Sequence, residues 1–474
     1  MRVADVLHGL TGHYPPHGGQ EPITAAVIDS RQATPGSLFV ALPGERHDGH
    51  DFVADAFARG ARLALIHRPV PDCPTLDLRG GFDAAAWEAF RLPGCLRVTN
   101  TLHGLQTLAR NWRRRLSGLR VVGITGSVGK TSTKELVSHV LEQRYRVLKN
   151  PGNYNNEIGL PLTLLHARPE HQWAVLEMGF YVPGDIALLC DIAQPHIGVV
   201  TNVGVVHAER AGSQEAIARG KAELVESLPP QGAAVLNYDD PWVRGMAGRT
   251  AARVFFYGLS PEADLWASDI EGLGLDGIRF VFHHRGETVP VHLPLWGRHA
   301  VHLALPAAAV GLLAGLSWAE MIQGLRSRRV QPRLRMVSTP QGARILDDTY
   351  NAAPQSMQAA LDLLADIPAQ RRVAILGDML ELGPYEQAGH AMVGARAAEV
   401  VDVLITFGSR ARHMAQAARQ AGMPEAQVAE FGPDEVDALV AHARGLLAPD
   451  DVVLIKGSRG MRMERIVAAL EVSP

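Results

Sequence analysis

The sequence predicts an α/β protein of three domains, and three observations carry that reading. Its 474 residues exceed what one hydrophobic core serves, because cores stop growing at about 250–300 residues and longer chains divide. Short apolar runs ending in Gly, Asn or Asp alternate with longer stretches of helical spacing, the pattern of parallel strands crossed by helices. The pattern then restarts after SRRVQPRLRM, a basic, Pro-containing stretch that reads as a linker.

Taken in order, residues 1–110 form a small α/β module with strands such as SLFVAL and LALIHR. Residues 111–328 follow as a central domain with a mainly parallel sheet, in which LRVVGIT, WAVLEMG and IGVVTNVG read as buried strands. Each runs into a Gly-containing loop where Thr, Glu or Asn stands, and ligands of such sheets bind at the carboxyl ends of strands. The longest apolar stretch, Ala304 to Ala319, contains Pro306 and two glycines. It falls short of the roughly 20 residues of a membrane-spanning helix and reads as a buried one. Residues 329–474 open with ARILDD and repeat the strand pattern in RVAILGDM, VDVLITFGS and DVVLIKGS, a second doubly wound sheet.

Composition narrows the function. With 46 basic against 49 acidic side chains, the chain offers no basic surface for nucleic acid. The opening MRVADVLHGL has neither the apolar run nor the small-residue cleavage site of a signal peptide, so a cytoplasmic protein without membrane insertion is expected. Cys73, Cys95 and Cys190 are too few and scattered for a disulfide framework or zinc site and are expected in the core, in keeping with a reducing compartment.

The sharpest motif is GITGSVGKTSTKE, a strand leaving into a glycine loop that ends in Gly129, Lys130 and Thr131. Backbone N–H groups of Gly126, Ser127 and Gly129 can approach phosphate oxygens, Lys130 supplies charge to the outer phosphates, and Thr131 and Ser132 offer hydroxyls, Thr131's to magnesium. Ile124 stands at the first glycine position of G-x-x-x-x-G-K-[ST], so the spacing is not that of the ordinary motif. Glu177 in LEMG closes an apolar strand where a carboxylate can complete a magnesium shell, although a strand-end Glu is usually just solvated.

In chain order, TGSVGKTSTKE, NYNNEIGLPLTLL, LEMGF, TNVGVVHAE and DDTYNAAPQSM resemble the Mur ligases across nearly the whole length. DDTYNAAPQSM followed by ILGDMLELG is similar to the members that add D-alanyl-D-alanine. DSRQATPGSLFVALPGERHDGHDF resembles the UDP-binding module of that family. The resemblance implies an N-terminal UDP-binding domain, a central P-loop ATPase and a C-terminal Rossmann-like domain carrying acceptor contacts. It implies an ATP-dependent carbon–nitrogen ligase of peptidoglycan precursor synthesis that joins D-Ala-D-Ala to UDP-muramoyl-tripeptide through an acyl phosphate. It also implies two magnesium ions, one held by Thr131 and Glu177, the other by His207 and Lys221, with Lys221 carbamylated. Read without the resemblance, His207 is a loop histidine and Lys221 a helix-surface lysine.

Further site residues follow from the same likeness. Ser30, Arg31, Gly44, His47, Asp48, Asn153, Asn155 and Asn156 are expected on the UDP substrate, though solvated loops and an Asn-rich turn explain them equally. Arg333 is expected on the ATP phosphates and Asp348 on the ribose. Tyr350, Asn351, Pro354, Ser356, Lys456, Ser458 and Arg459 are expected around the dipeptide, although a helix N-terminus alone would explain the KGSRGM segment that holds the last three. Asp239 and Asp240 read as a turn. The family places asparagines where Ala300 and Leu303 stand, the second addressing adenine, so base recognition departs here. Ala353 and Gln355 likewise replace Asn and Asp. The competing readings are a diamino-acid-adding Mur ligase, a folylpolyglutamate-type ligase and a non-catalytic P-loop UDP-sugar-binding paralogue. A monomer is the expected state.

Overall fold

The computed structural model describes residues 1–206, 208–327 and 334–471. His207 and Arg333 therefore lie outside the described residues, as does most of the SRRVQPRLRM linker.

Three sheets form, one for each run of strands that the sequence separates. The first holds β1 (Ala26–Val27), β2 (Leu38–Val40), β3 (Leu63–Ile66), β4 (Thr75–Asp77) and β5 (Gly94–Arg97), all parallel, in the order β1-β2-β3-β5-β4. The helix Thr101–Arg115 leaves this module and packs on the central domain, running across position 110.

The central sheet has nine strands: β6 (Arg120–Thr125), β7 (Val147–Lys149), β8 (Trp173–Glu177), β9 (Ile197–Val200), β10 (Ala233–Asn237), β11 (Arg253–Gly258), β12 (Leu265–Gly272), β13 (Ile278–His284) and β14 (Glu287–Leu293). Their order is β14-β13-β12-β11-β10-β9-β6-β8-β7, parallel except for the β12-β13-β14 edge. β8 and β9 are buried along their full length, which requires the unbroken apolar runs seen in the sequence. From β6 the chain crosses first to the edge strand β7, returns to β8 beside β6, and then crosses to β9 and β10 on the other side. The strand order thus reverses at β6, and such sheets open a ligand crevice there.

The apolar stretch at 304–319 is a buried helix, Val301–Leu313, which ends six residues earlier than the hydropathy suggests because Gly315 turns the chain at φ +79°. No helix among the described residues is long and apolar enough to cross a membrane.

The C-terminal sheet contains β15 (Arg335–Ser338), β16 (Arg344–Asp348), β17 (Arg371–Gly377), β18 (Val403–Phe407), β19 (Val428–Phe431) and β20 (Asp451–Lys456), in the order β15-β16-β20-β17-β18-β19. Only β15 is antiparallel. The pairing of β16 with β20 sets Asp348 opposite Lys456.

The cysteine reading is corrected in one respect. Cys190 is buried as expected, but Cys73 and Cys95 form a disulfide with a Cα–Cα separation of 6.5 Å. β4 pairs with β5 in a register that sets Thr75 opposite Cys95, which brings Cys73 alongside. The separation of 22 residues along the chain hides this neighbourhood.

Candidate active site

The P-loop follows β6, at the reversal point, and its shape is dictated by close backbone approach. Gly126 adopts φ +152°, and a Cβ there would lie 1.9 Å from Thr201 Oγ1, so no side chain fits. The loop at the end of β9 clamps it: Val128 N donates to Asn202 Oδ1 at 2.9 Å, Thr201 Oγ1 to Val128 O at 2.8 Å, and Gly204 N to Ser127 Oγ at 2.8 Å. Gly129, at φ +85°, is the N-cap of the helix Lys130–Glu142, on whose first turn Thr131 and Ser132 are half-buried. The N-terminal N–H groups and dipole of that helix favour phosphate. Lys130 Nζ rests on Gly126 O at 2.8 Å and Ser127 O at 3.2 Å, within reach of anything bound in the loop.

Glu177, at the end of β8, is brought to the same point. Thr131 Oγ1 donates to its Oε2 at 2.8 Å and Asn155 Nδ2 to its Oε1 at 2.9 Å. The carboxylate is buried, so these bonds offset part of its desolvation. The sequence alone did not single out Asn150, whose side chain is fully buried. Its Nδ2 donates to Glu177 O at 3.0 Å and its Oδ1 accepts from Glu177 N at 2.9 Å. Asn150 O in turn accepts from the buried Lys134 Nζ at 2.7 Å. Asn150→Ala should therefore release the strand end that aims Glu177 and leave two buried backbone groups unpaired. The expected loss is about 2 kcal/mol, read as a lower denaturant midpoint; an unchanged midpoint would dismiss this role.

Lys221, on the helix Gln214–Glu226, is not on a surface: it is 2% exposed, its Nζ 5.1 Å from the centroid of the Phe180 ring. No acceptor meets its amine among the described residues. Burial, and then the charge of Lys130, hold its pKa well below the usual lysine range. The lowered pKa makes the neutral, nucleophilic form of the amine easier to reach than in a solvated lysine. Among the described residues no group of three His, Cys, Asp or Glu side chains forms a ready metal cage. The donor set here is instead one hydroxyl and one carboxylate, which suits magnesium because that ion also takes phosphate oxygens and water.

Of the UDP-site candidates, Ser30, Arg31, Gly44, His47 and Asp48 follow β1 and β2 at the carboxyl ends of the first sheet, whereas Asn153, Asn155 and Asn156 follow β7 of the central one. Pro43 bridges Asp48, and Gly44 N donates to His47 O at 3.0 Å, closing a tight loop. Asp48 is committed to Arg68 Nε at 3.0 Å and His50 Nδ1 at 2.6 Å, while His50 Nε2 accepts from His67 N at 3.0 Å. Arg31 pairs with Asp29 in solvent, and the buried Ser30 turns inward to Asp55. Asn153 is exposed. Asn156 Oδ1 accepts from Gly159 N at 2.9 Å, at the start of the helix Gly159–Leu165. A cavity of about 220 Å³ lies between Leu42, His67, Thr101 and Ile158, joining this module to the Asn155–Asn156 loop. A larger hollow of about 470 Å³, lined by Arg113, Asp191 and His196, sits by contrast at the amino end of β9, away from the P-loop.

In the C-terminal domain Lys456 Nζ donates to Asp348 Oδ2 at 2.6 Å and to Asn351 O at 2.8 Å, so the two charges expected on different ligands meet each other. The Arg459 guanidinium lies 5.0 Å from the Tyr350 ring centroid. Pro354 opens the helix Pro354–Asp366, Ser356 Oγ accepts from Ala353 N, and Ser458 Oγ accepts from Leu380 N at 2.8 Å. Gln355 lies against Gly204, where a Cβ would come within 3.0 Å of its side-chain amide, so this loop abuts the P-loop clamp. Leu303 lies against Gly129, a Cβ at which would sit 3.0 Å from Leu303 Cδ2. Asp240 caps the helix Pro241–Arg244, as a turn residue should, and also accepts from Val203 N at 2.8 Å.

Three family models match in chain order: residues 22–75 match the Mur ligase family catalytic domain, 124–311 the Mur ligase middle domain, and 332–459 the Mur ligase glutamate ligase domain. The UDP-N-acetylmuramoyl-tripeptide–D-alanyl-D-alanine ligase of Synechocystis sp. is 38% identical over 93% of this chain and 90% of its own length. Among solved structures, MurF from Acinetobacter baumannii superposes with a TM-score of 0.83 at 29% identity, covering 99% of both chains. MurF ligase from Thermotoga maritima in complex with ADP gives 0.78 at 29% identity, over 94% of this chain and 96% of that one.

Proposed function

The chain belongs to the Mur ligase family, and from that premise we propose that it is the ATP-dependent ligase joining D-alanyl-D-alanine to UDP-N-acetylmuramoyl-tripeptide. The products are UDP-muramoyl-pentapeptide, ADP and phosphate. One observation carries the chemistry: a P-loop lysine, a hydroxyl–carboxylate pair and a buried amine converge where the central sheet reverses.

The terminal carboxylate of the tripeptide attacks the γ-phosphorus of ATP, giving an acyl phosphate and ADP. The dipeptide amine then adds to the acyl carbon, and the tetrahedral intermediate collapses with loss of phosphate. The first step brings like charges together, and the site must neutralise them. Lys130 moves from its loop carbonyls to the β- and γ-phosphates, while Gly126, Ser127 and Gly129 present backbone N–H groups. Thr131 and Glu177 would hold one magnesium ion, and His207 with Lys221 a second. Magnesium, when bound, supplies positive charge between the triphosphate and the attacking carboxylate. The neutral amine of Lys221 adds carbon dioxide and loses a proton, which gives the carboxylate that a second ion needs.

The domains divide as 1–110 for the UDP-muramoyl peptide, 111–328 for ATP and 329–474 for the acceptor. Ser30, Arg31, Gly44, His47, Asp48 and the three loop asparagines border the first substrate; Tyr350, Asn351, Pro354, Ser356, Lys456, Ser458 and Arg459 border the dipeptide. Asp348 meets the ribose once Lys456 turns to the dipeptide carboxylate. The protein acts as a cytoplasmic monomer.

Phosphate release from ATP should require UDP-muramoyl-tripeptide and D-Ala-D-Ala together, yield the pentapeptide, and fail with D-Glu or a free diamino acid. Turnover with a diamino acid instead, or with no acceptor at all, would overturn the assignment.

A further inference from the structure

β9 runs parallel to β6, and the P-loop follows the carboxyl end of β6. The hollow of about 470 Å³ at the amino end of β9 therefore lies at the other end of the central sheet from the ATP site. The helix Thr101–Arg115 brings Arg113 to it, the helix Asp185–Ala193 brings Ala187, Cys190 and Asp191, and residues 194–196 lead from that helix into β9. Arg113 is 4% exposed, and no carboxylate pairs with it among the described residues. Its Nε donates to Ala193 O at 2.9 Å, Nη1 to Leu116 O at 3.2 Å and Nη2 to Gln194 O at 3.5 Å. A guanidinium has more N–H groups than these bonds use, so Nη1 and Nη2 each keep one. Burial alone lowers its pKa, and a buried charge without a counter-ion costs free energy that an anion would offset.

Two further donors line the same hollow. Val121 N donates to His196 Nδ1 at 3.2 Å, which sets the neutral tautomer with its proton on Nε2, and that N–H meets no acceptor among the described residues. Burial, then the charges of Arg113 and Arg120, lower the His196 pKa and favour that form. Gln194 is held at φ +50°, a conformation that Gly or Asn takes more readily, and its side-chain amide has no partner among the described residues. The groups that would repel an anion are occupied. Asp191 Oδ2 accepts from Arg110 Nε at 2.7 Å, and Glu223 accepts from Gly184 N at 2.7 Å and Ala187 N at 2.9 Å. The carbonyls of Ala193 and Gln194, at the negative end of their helix, are the ones Arg113 caps.

We propose that this hollow binds a small organic carboxylate, its anion held by the Arg113 guanidinium and the His196 Nε2–H, and its carbon body against Ala187, Pro195 and Pro229. The charge-assisted bonds from arginine fix the head group, and the apolar walls take the remainder. The site is separate from the ligase reading and stands or falls without it.

The test is a ligand-observed NMR titration of the full-length protein with benzoate, benzamide and benzylamine, which join one ring to anionic, neutral and cationic head groups. Benzoate should bind saturably, about tenfold more tightly than either of the others, and saturating ATP or UDP should not displace it. Arg113→Met removes the charge, but its guanidinium also ties three carbonyls, so a second variant guards against unfolding. Ala187→Trp, at an exposed helix position lining the hollow, fills the space and leaves those bonds intact. Ala187→Trp, and Arg113→Met if it folds, should weaken benzoate about tenfold. No saturable benzoate binding, benzamide bound as tightly, a preference for benzylamine, displacement by either nucleotide, or an affinity that Ala187→Trp leaves unchanged would each overturn the site.

Discussion

Lys221→Ala is expected to lower D-Ala-D-Ala-dependent phosphate release by about three orders of magnitude without unfolding the protein. The structure explains both halves of that outcome. The amine is buried beside Phe180 with no acceptor among the described residues, so removing it relieves a desolvation cost as well as leaving a small cavity. A melting temperature close to wild type, alongside lost turnover, would therefore mark a chemical rather than a structural residue. If the amine works as its carbamate, acetate or formate should partly restore Lys221→Ala by placing a carboxylate in the vacated space, whereas Lys221→Arg, which cannot take up carbon dioxide, should stay inactive. The pH dependence has a definite sign. Burial and Lys130 lower the pKa of Lys221, so its neutral amine is more accessible than that of a solvated lysine. As pH falls through that lowered pKa the amine protonates, the carbamate is lost, and activity should decline on the acid side. Bicarbonate should then restore less as the pH drops. A Lys221→Ala enzyme retaining most of its turnover would rule out this role.

How much of this site the sequence discloses depends on which residues lie close together along the chain. Gly126 to Ser132 form one loop, so their chemistry is legible from spacing alone, and the departure at Ile124 does not alter it: Ile124 is the penultimate residue of β6, and Gly126 makes the close approach. Glu177 is legible because it ends an apolar run. Asn150 is not, because its meaning lies in two bonds to the backbone of a residue 27 positions away. The loop of Thr201 and Asn202 is legible as the end of an apolar run, but its bonds to Val128 are not, since Val128 lies on a different strand's loop. The Lys221 environment is the clearest case. Local spacing puts a lysine on a helix and suggests solvent, yet the helix packs on β6 and β9 and the lysine lies against Phe180. The family resemblance suggests its role, and the burial offers a physical reason for it. The Cys73–Cys95 bond and the Asp348–Lys456 pair were hidden in the same way, because strand register, not spacing, brings them together.

The second large effect is expected at Lys130. Its Nζ is held by two loop carbonyls that would keep their geometry without it, because Asn202, Thr201 and Gly204 clamp the loop independently. Lys130→Ala should thus fold normally and lose about three orders of magnitude in kcat, with a smaller change in the KM for ATP. The split is expected from where charge changes: in the proposed reaction backbone N–H groups of the loop would grip the nucleotide in ground and transition states alike, whereas the lysine would answer charge building on the transferring phosphoryl group. A loss confined to KM would place Lys130 in binding alone. Combined with Lys221→Ala, the defect should fall well short of the product of the two single effects. Both groups bear on one transfer, and the charge of Lys130 itself helps keep Lys221 neutral. Fully multiplicative losses would mean that the two lysines act in separate steps, and would separate phosphoryl transfer at the P-loop from whatever Lys221 does.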